Sequence, residues 1–214
     1  MSKPGDFFVG ILDFFAILVP GAIATAILQP RFGHLVLGPL IAQPPSAAGQ
    51  WAAFLVFAYF IGHLIFLLGS YIDRLYNLMR EHLNPYGNES AYQCATRLRD
   101  AMIAPHERAA LNTFQWARAV LITISPAAAD DVSRLEADSK FFRSLLVVSV
   151  LACAVFATGG HRVESVGALL LVAPCFARYY ERRLKSTTQA YIHVVTLHRL
   201  GHLGKAGTAT APTT

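Results

Sequence analysis

Two long blocks of apolar residues constrain this chain more than any other feature of its sequence. The first runs from Phe7 to Leu28 and the second from Trp51 to Ile72, and each holds 22 residues. As helices they would be about 33 Å long, enough to cross a hydrocarbon core of about 30 Å. The sequence therefore predicts one membrane-spanning helix in each block.

Two further apolar blocks follow, from Phe141 to Thr158 and from Val163 to Tyr180. They are shorter, and only four residues separate them, which predicts two helices joined by a tight turn. Their charged residues lie near their ends, where long side chains can reach the membrane surface. Charged residues make up 14% of the whole chain, against about 25% in soluble domains. We therefore predict an all-α integral membrane protein with four transmembrane helices.

The positions of lysine and arginine predict the orientation, because these residues stay on the cytoplasmic side of a membrane. Of the 18, only Arg31 and Arg162 lie in the first and third connections between the apolar blocks. Both termini are therefore predicted to be cytoplasmic. The alternative for the first block is a cleaved signal sequence ending near Ala24-Thr25-Ala26, but Asp6 and Asp13 fit poorly in the apolar stretch of such a signal.

The same pattern divides the chain into four parts. We predict a first transmembrane pair with an external loop in residues 1–72, a cytoplasmic helical segment in 73–140, a second transmembrane pair in 141–180, and a basic cytoplasmic tail in 181–214, disordered from Gly201. The second helix is predicted to continue into the middle segment through Arg80 and to end at Asn84-Pro85-Tyr86-Gly87. The middle segment then forms helices from Ser90 to about Ile103, from Pro105 to about Ile124, and from about Asp130 into the third block. The membrane helices thus extend into a small cytoplasmic helical bundle.

The two cytoplasmic parts differ in charge. Residues 73–140 carry eight basic and nine acidic side chains, a balance typical of a solvated helical surface with ion pairs. From Arg178 onward, six basic residues face a single acidic one, Glu181. A basic segment directly inside a membrane span favours contact with anionic lipid headgroups, with a soluble phosphate-bearing ligand as the alternative.

Three residues within the spans are candidates for a functional role. Asp13 is a carboxylate in an apolar block, which favours a position facing a bundle interior or a polar cavity, unless it lies shallow enough to reach headgroup water. Pro20 removes a backbone donor and predicts a kink in the first span. His63 falls near the centre of the second span, where it is either a hydrogen-bonded packing residue or a partner of Asp13.

The sequence contains no nucleophile elbow, phosphate-binding loop, metalloprotease motif or paired-cysteine motif. Cys94, Cys153 and Cys175 are too widely spaced to indicate a disulfide framework or a metal site. His198 and His202 have metal-ligand spacing, but Gly201 lies between them and no acidic partner follows. We therefore expect no enzymatic activity, no cofactor and no metal site.

Short motifs in the four spans resemble those of a loose group of bacterial membrane proteins. The motifs are Asp13-Phe14-Phe15-Ala16-Ile17-Leu18-Val19-Pro20-Gly21 in the first span, Gly62-His63-Leu64 in the second, Lys140-Phe141-Phe142-Arg143-Ser144-Leu145 entering the third, and Arg178-Tyr179-Tyr180-Glu181-Arg182-Arg183 leaving the fourth. The group includes membrane effectors of antiphage defence, among them the effector of Hailong-type systems. In those systems a nucleotidyltransferase partner makes an oligonucleotide signal, and the effector resembles an oligomeric channel that depolarises the inner membrane.

The resemblance implies a homo-oligomeric channel of the bacterial inner membrane, in contact with lipid and gated by an anionic nucleotide. Five arginines are then candidate ligand contacts, because a guanidinium can bind phosphate through two parallel hydrogen bonds: Arg97, Arg99, Arg178, Arg182 and Arg183. Asp13, Pro20 and His63 become candidate pore or gate residues. The alternatives are a non-conducting membrane adaptor that assembles partners through its middle segment, and a small transporter or transporter subunit.

Overall fold

α-Helices are the only regular elements in the described part of the chain. The computed structural model describes residues 4–36, 47–83, 89–104, 106, 108 and 110–203, without the side chains of residues 4–13, 31–36, 47 and 83. Within these residues lie α1 (Pro4–Val36), α2 (Ala47–Gly69), α3 (Ile72–Leu83), α4 (Ser90–Met102), α5 (Thr113–Ile124), α6 (Pro126–Thr158) and α7 (Arg162–Arg199). The prediction of an all-α protein is confirmed.

Among the described residues, two helical stretches are long and apolar enough to cross a membrane. One is Ala48–His82, which joins α2 and α3, and the other is Pro126–Thr158, which is α6. A shorter apolar stretch, Phe14–Pro30, lies in α1. These stretches fall in three of the four predicted spans and support an association with a membrane.

α1 and α2 pack at very short distance because glycine faces backbone on both helices. A Cβ atom built on Gly21 would overlap the carbonyl oxygen of Ala58 and lie 2.7 Å from the backbone nitrogen of Gly62. A Cβ atom on Gly62 would overlap the carbonyl oxygen of Ile17. Ala24 of α1 is also fully buried. Small residues of this kind let helix backbones approach closely where the hydrophobic effect gives little driving force.

The second apolar helix continues past Ile72, as predicted, but with a local tightening. Ser70 and Tyr71 form a turn between α2 and α3, and their amides donate to the carbonyls of Leu67 and Leu68 at 3.1 and 3.2 Å. These are bonds across three residues rather than four, the pattern of a 3₁₀ turn. The sequence Asn84-Pro85-Tyr86-Gly87, predicted to end this helix, lies outside the described residues.

The middle helices begin at Ser90, Thr113 and Pro126, and a side-chain cap is present at the second of these. α4 agrees with its predicted range, whereas the prediction that the next helix begins at Pro105 is wrong, because α5 begins at Thr113. The side chain of Asn112 accepts from the amide of Gln115, whose own side chain accepts from the amide of Asn112. This reciprocal capping box fixes the start of a helix. α6 begins at Pro126, ahead of the predicted Asp130, because proline is well suited to the first turn of a helix.

The chain divides into two compact units. The first comprises Met1–Tyr76 and Ala137–Arg182, and the second comprises Asn77–Glu136 and Arg183–Thr214. α6 and α7 therefore contribute residues to both, and α7 continues to Arg199 well beyond the last apolar block. Of the tail predicted to be disordered, residues 204–214 lie outside the described residues.

Each unit has its own core. In the first unit Ala24, Ile65 and Val148 form a buried apolar cluster. The second unit buries a larger cluster from its helices, with Trp116, Leu121, Val132, Tyr191 and Val194 among its members. The second unit therefore has the apolar interior expected of an independently packed helical bundle.

Candidate functional site

Four of the five arginines predicted as ligand contacts are engaged in ion pairs. Arg99 binds Asp100 at 2.8 Å. The other three pairs are Arg178 with Glu181 at 2.9 Å, Arg182 with Asp138 at 3.5 Å, and Arg183 with Glu136 at 4.0 Å. A nearby carboxylate neutralises much of the charge that would attract an anion. The role of these four arginines as ligand contacts stays a prediction.

Arg99 is additionally held by neutral groups. Its Nη1 donates to the hydroxyl of Thr113 at 3.1 Å, and that hydroxyl lies 3.1 Å from the hydroxyl of Thr96. Because Thr96 and Arg99 belong to α4 and Thr113 begins α5, these bonds join the two helices. Arg99 therefore helps to hold α4 against α5.

The fifth arginine, Arg97, is exposed and lines a groove between α4 and α7 in the second unit. His198 and Arg199 of α7 line the same groove, while Cys94, Leu98 and Val195 supply its less polar surface. The cavity has a volume of about 250 Å³ and is open to solvent. We refer to these six residues as the basic groove. It brings Arg97 together with His198 and Arg199, which follow about a hundred residues later in the sequence.

The surface of the basic groove is mostly apolar, and its three polar lining residues, Arg97, His198 and Arg199, are exposed. Two guanidinium groups can each offer paired donors to phosphate or carboxylate, and His198 adds a donor that becomes cationic when protonated. The carboxyl end of α7 opposes an anion through its exposed carbonyls. Part of this effect is removed because the amides of Gly201 and His202 donate to the carbonyls of His198 and Leu197 at 2.9 and 3.1 Å.

The first unit contains a partly buried polar cluster of Asp73, Arg143 and Tyr179. Asp73 accepts from Arg143 Nη1 at 2.7 Å through one carboxylate oxygen and from the Tyr179 hydroxyl at 2.5 Å through the other. The Arg143 guanidinium also lies 4.7 Å from the centroid of the Phe66 ring, and the Arg143 side chain packs against the backbone of Gly69. The cluster joins α3, α6 and α7 by charge-assisted bonds.

The second unit contains a separate buried ion pair. Arg80 is fully buried and donates to Glu89 Oε2 at 2.7 Å and to the Thr187 hydroxyl at 2.9 Å. The other oxygen of Glu89 accepts from the Thr188 hydroxyl at 2.6 Å. A buried guanidinium needs such partners, because burying it without them costs about 3 kcal/mol or more.

The three candidate pore or gate residues do not form a described site. The side chain of Asp13 lies outside the described residues, so its predicted pairing with His63 stays a prediction. Pro20 is buried, and α1 continues through it. His63 is exposed on α2, and its ring meets Tyr59 edge-on with centroids 4.5 Å apart.

The three cysteines are free thiols. Within the part of the chain that the structure describes, no three or more histidine, cysteine or acidic residues are grouped so that they could hold a metal ion.

Sequence reasoning missed His198 and Arg199 as companions of Arg97, because their proximity depends on how α7 packs on α4. It also missed that Arg80 is buried and that Asp73 binds Arg143 and Tyr179. A signal for that burial exists in the sequence, since Asp73, Tyr76 and Arg80 recur on one face of α3 and two leucines occupy the other.

Comparison with known proteins does not identify a functional site, so the candidate site is argued from the residues alone. The chain matches no model of a protein family, no curated protein and no solved structure.

Proposed function

We propose that this protein is an oligomeric membrane channel of four transmembrane helices, gated by an anionic ligand that binds the basic groove on the cytoplasmic side. The observation that carries the proposal is the groove itself, where Arg97, His198 and Arg199 face solvent without a carboxylate among the lining residues. The resemblance to membrane effectors of antiphage defence favours an oligonucleotide signal from a partner nucleotidyltransferase, and a bacterial inner membrane as the location.

The four-span arrangement is supported by the surface of the first unit. Besides the two long apolar stretches, α1 exposes Phe14, Phe15 and Ile23, and the first half of α7 exposes Val163 and Leu170. Exposed residues of this kind, on helices of this length, fit contact with lipid or with other membrane helices.

An oligomer is part of the proposal because a pore formed by a protein with four such helices needs several copies. In several copies His63, a polar side chain near the middle of α2, would face a neighbouring copy or the pore rather than lipid. Continuity of α7 from the first unit into the second gives a ligand at Arg199 a direct covalent route to a membrane helix.

The proposal is tested first by ion flux through proteoliposomes containing the purified protein, with and without short single-stranded oligonucleotides. A double variant, Arg97→Ala with Arg199→Ala, should lose the ligand response. Arg134→Ala, an exposed arginine of the same unit outside the groove, is the matched control and should keep it. The same variants at equal expression in cells should differ in membrane depolarisation measured with a voltage-sensitive dye.

A second candidate is a non-conducting adaptor, favoured by exposed apolar side chains on the second unit, including Ile122 and Ile192. An adaptor predicts no flux under any condition and no binding of oligonucleotides by the wild-type protein. In that case Ile122→Ser should abolish activity in cells, whereas the groove double variant should leave it unchanged.

A further inference from the structure

Three helices of the second unit bring two arginines to one carboxylate. Nη1 of Arg118, on α5, lies 3.4 Å from Oε2 of Glu136, on α6, and Nη1 of Arg183, on α7, lies 4.0 Å from Oε1 of the same residue. One carboxylate balances the charge of only one guanidinium, so the three side chains together carry one excess positive charge. We refer to Arg118 and Arg183 as the arginine pair. None of these three residues lines the basic groove.

The excess charge of the cluster lies on its solvent side. The Glu136 side chain is 12% exposed, whereas the side chains of Arg118 and Arg183 are 41% and 30% exposed. The carboxylate therefore lies behind the two guanidinium groups, and these stay accessible to a ligand that approaches from outside.

Both contacts of the arginine pair with Glu136 are long. Charge-assisted hydrogen bonds between a guanidinium and a carboxylate are about 2.7 to 2.9 Å long, and the Arg80–Glu89 pair of the same unit is 2.7 Å long. Two guanidinium groups have about ten N–H donors, whereas one carboxylate accepts about four hydrogen bonds. The arginine pair therefore has more donors than Glu136 can accept from.

An aromatic ring and a common helix face position the arginine pair. The guanidinium carbon of Arg183 lies 5.8 Å from the centroid of the Phe114 ring, within the range of a cation–π contact. Phe114 and Arg118 are four residues apart on α5 and therefore lie on one face of that helix. Because Arg183 is already held against this ring, a ligand loses less conformational entropy when it binds there.

We propose that the arginine pair is a binding site for a phosphate group. A phosphate has enough acceptor oxygens to bind two guanidinium groups at once, and its negative charge offsets the excess charge of the cluster. Two sources share this chemistry, the headgroup of an anionic lipid and a soluble phosphate ester. A headgroup is among them because Glu136 and Arg183 each lie within five residues of an apolar block in the sequence. The site does not depend on the proposed channel or on its groove.

Two probes with the same phosphate group test the site and separate its sources. Glycerol 3-phosphate and phosphatidic acid are titrated against the purified full-length protein in a neutral detergent, and the apparent dissociation constants are measured by native mass spectrometry. The double variant Arg118→Gln with Arg183→Gln should weaken binding about tenfold or more, because charge-assisted hydrogen bonds are lost. Arg134→Gln, at an exposed arginine of α6 in the same unit, is the matched control and should bind as the wild type does.

Two further variants distinguish a ligand site from a purely structural charge cluster. Glu136→Gln leaves both cations without their shared carboxylate, so the phosphate group should bind several-fold more tightly, a gain that loss of stability does not produce. Arg118→Lys with Arg183→Lys keeps both charges beside Glu136 and should weaken binding less than the glutamine pair, because lysine lacks the paired donors. Circular dichroism checks that each variant keeps the helix content of the wild type.

The outcomes separate the two sources and the failure of the proposal. Similar affinities for both probes, lowered in the glutamine pair, would support a site for which a soluble phosphate ester is sufficient. Binding of phosphatidic acid alone, with the same loss, would support a lipid headgroup site. Absence of binding of either probe by the wild type would overturn the proposal. Equal affinities of the wild type, the glutamine pair and Glu136→Gln would overturn it as well.

Discussion

Neutralising Asp73 should destabilise the first unit more than removing the arginine that it binds. In the structure the Arg143 side chain is only 9% exposed, whereas Asp73 is 37% exposed. Asp73→Asn therefore leaves a guanidinium that water cannot reach. Breaking a buried ion pair costs about 3 to 5 kcal/mol, and the partial exposure of Asp73 together with the retained contact of Arg143 on Phe66 lowers our expectation to about 2 to 3 kcal/mol.

Arg143→Met is expected to cost less than Asp73→Asn, about 1 to 2 kcal/mol, because the remaining carboxylate can be hydrated and methionine keeps much of the packing of the arginine stem. Tyr179→Phe removes one hydrogen bond to a charged group and should cost about 1.5 kcal/mol. Combining Asp73→Asn with Arg143→Met should be no worse than Asp73→Asn alone, since the unpaired buried charge is gone.

The free energy of unfolding can be measured by titrating the purified protein from a mild detergent into SDS and following its helix content. Asp131→Asn, at an exposed carboxylate of the second unit, is the control and should change stability by less than about 0.5 kcal/mol. A loss for Arg143→Met larger than that for Asp73→Asn would refute the reasoning, because it would mean that the carboxylate and not the guanidinium is the group that burial disfavours.

Three other predictions concern packing, a buried pair and a cap. Gly21→Val places side-chain atoms where the α2 backbone lies and should cost at least about 1 to 3 kcal/mol. Gly167→Ala is the control and should be tolerated, because a Cβ atom there meets no atom within 4 Å. Similar thermal stability of the two variants would contradict the close α1–α2 contact. Glu89→Gln leaves the fully buried Arg80 without its counter-charge and should lower stability by about 2 to 4 kcal/mol, measured by the same titration; unchanged stability would contradict the burial of Arg80. Asn112→Ala removes the α5 cap and should cost about 1 kcal/mol, with faster amide hydrogen exchange at the first turn of α5 as the specific sign and unchanged exchange there as the opposing result.

Charged residues of α3 bind neighbouring helices in both units. α3 is bonded through Asp73 to α6 and α7 in the first unit and through Arg80 to α7 in the second. The 3₁₀ turn at Ser70 and Tyr71 is the point where α3 can change direction relative to α2. α3 is therefore bonded to α7 near both of its ends.

Local and compositional features were readable from the sequence alone. Helices throughout, the apolar stretches, the continuation of the second stretch beyond Ile72 and the end of α5 at Ile124 follow from apolar spacing and from residues near each helix end. The start of α5 was predicted wrongly because two signals for a helix start compete there: Pro105, a residue favoured in the first turn, and the capping box of Asn112 and Gln115, which the fold uses. The four-span topology stays a prediction.

Which charged residues are engaged was decided only by the tertiary structure. Asp73 and Tyr179 are 106 residues apart in the chain, and Arg80 and Thr187 are 107 apart. From the sequence alone, the arginines of the tail could equally have been cations without acidic neighbours. Packing of α7 instead gave Arg182 and Arg183 acidic neighbours and placed Arg199 beside Arg97. Sequence spacing fixes which side of a helix a residue occupies, but the partner across the interface depends on the packing of distant segments, and that partner determines whether an arginine holds the fold together or is available to a ligand.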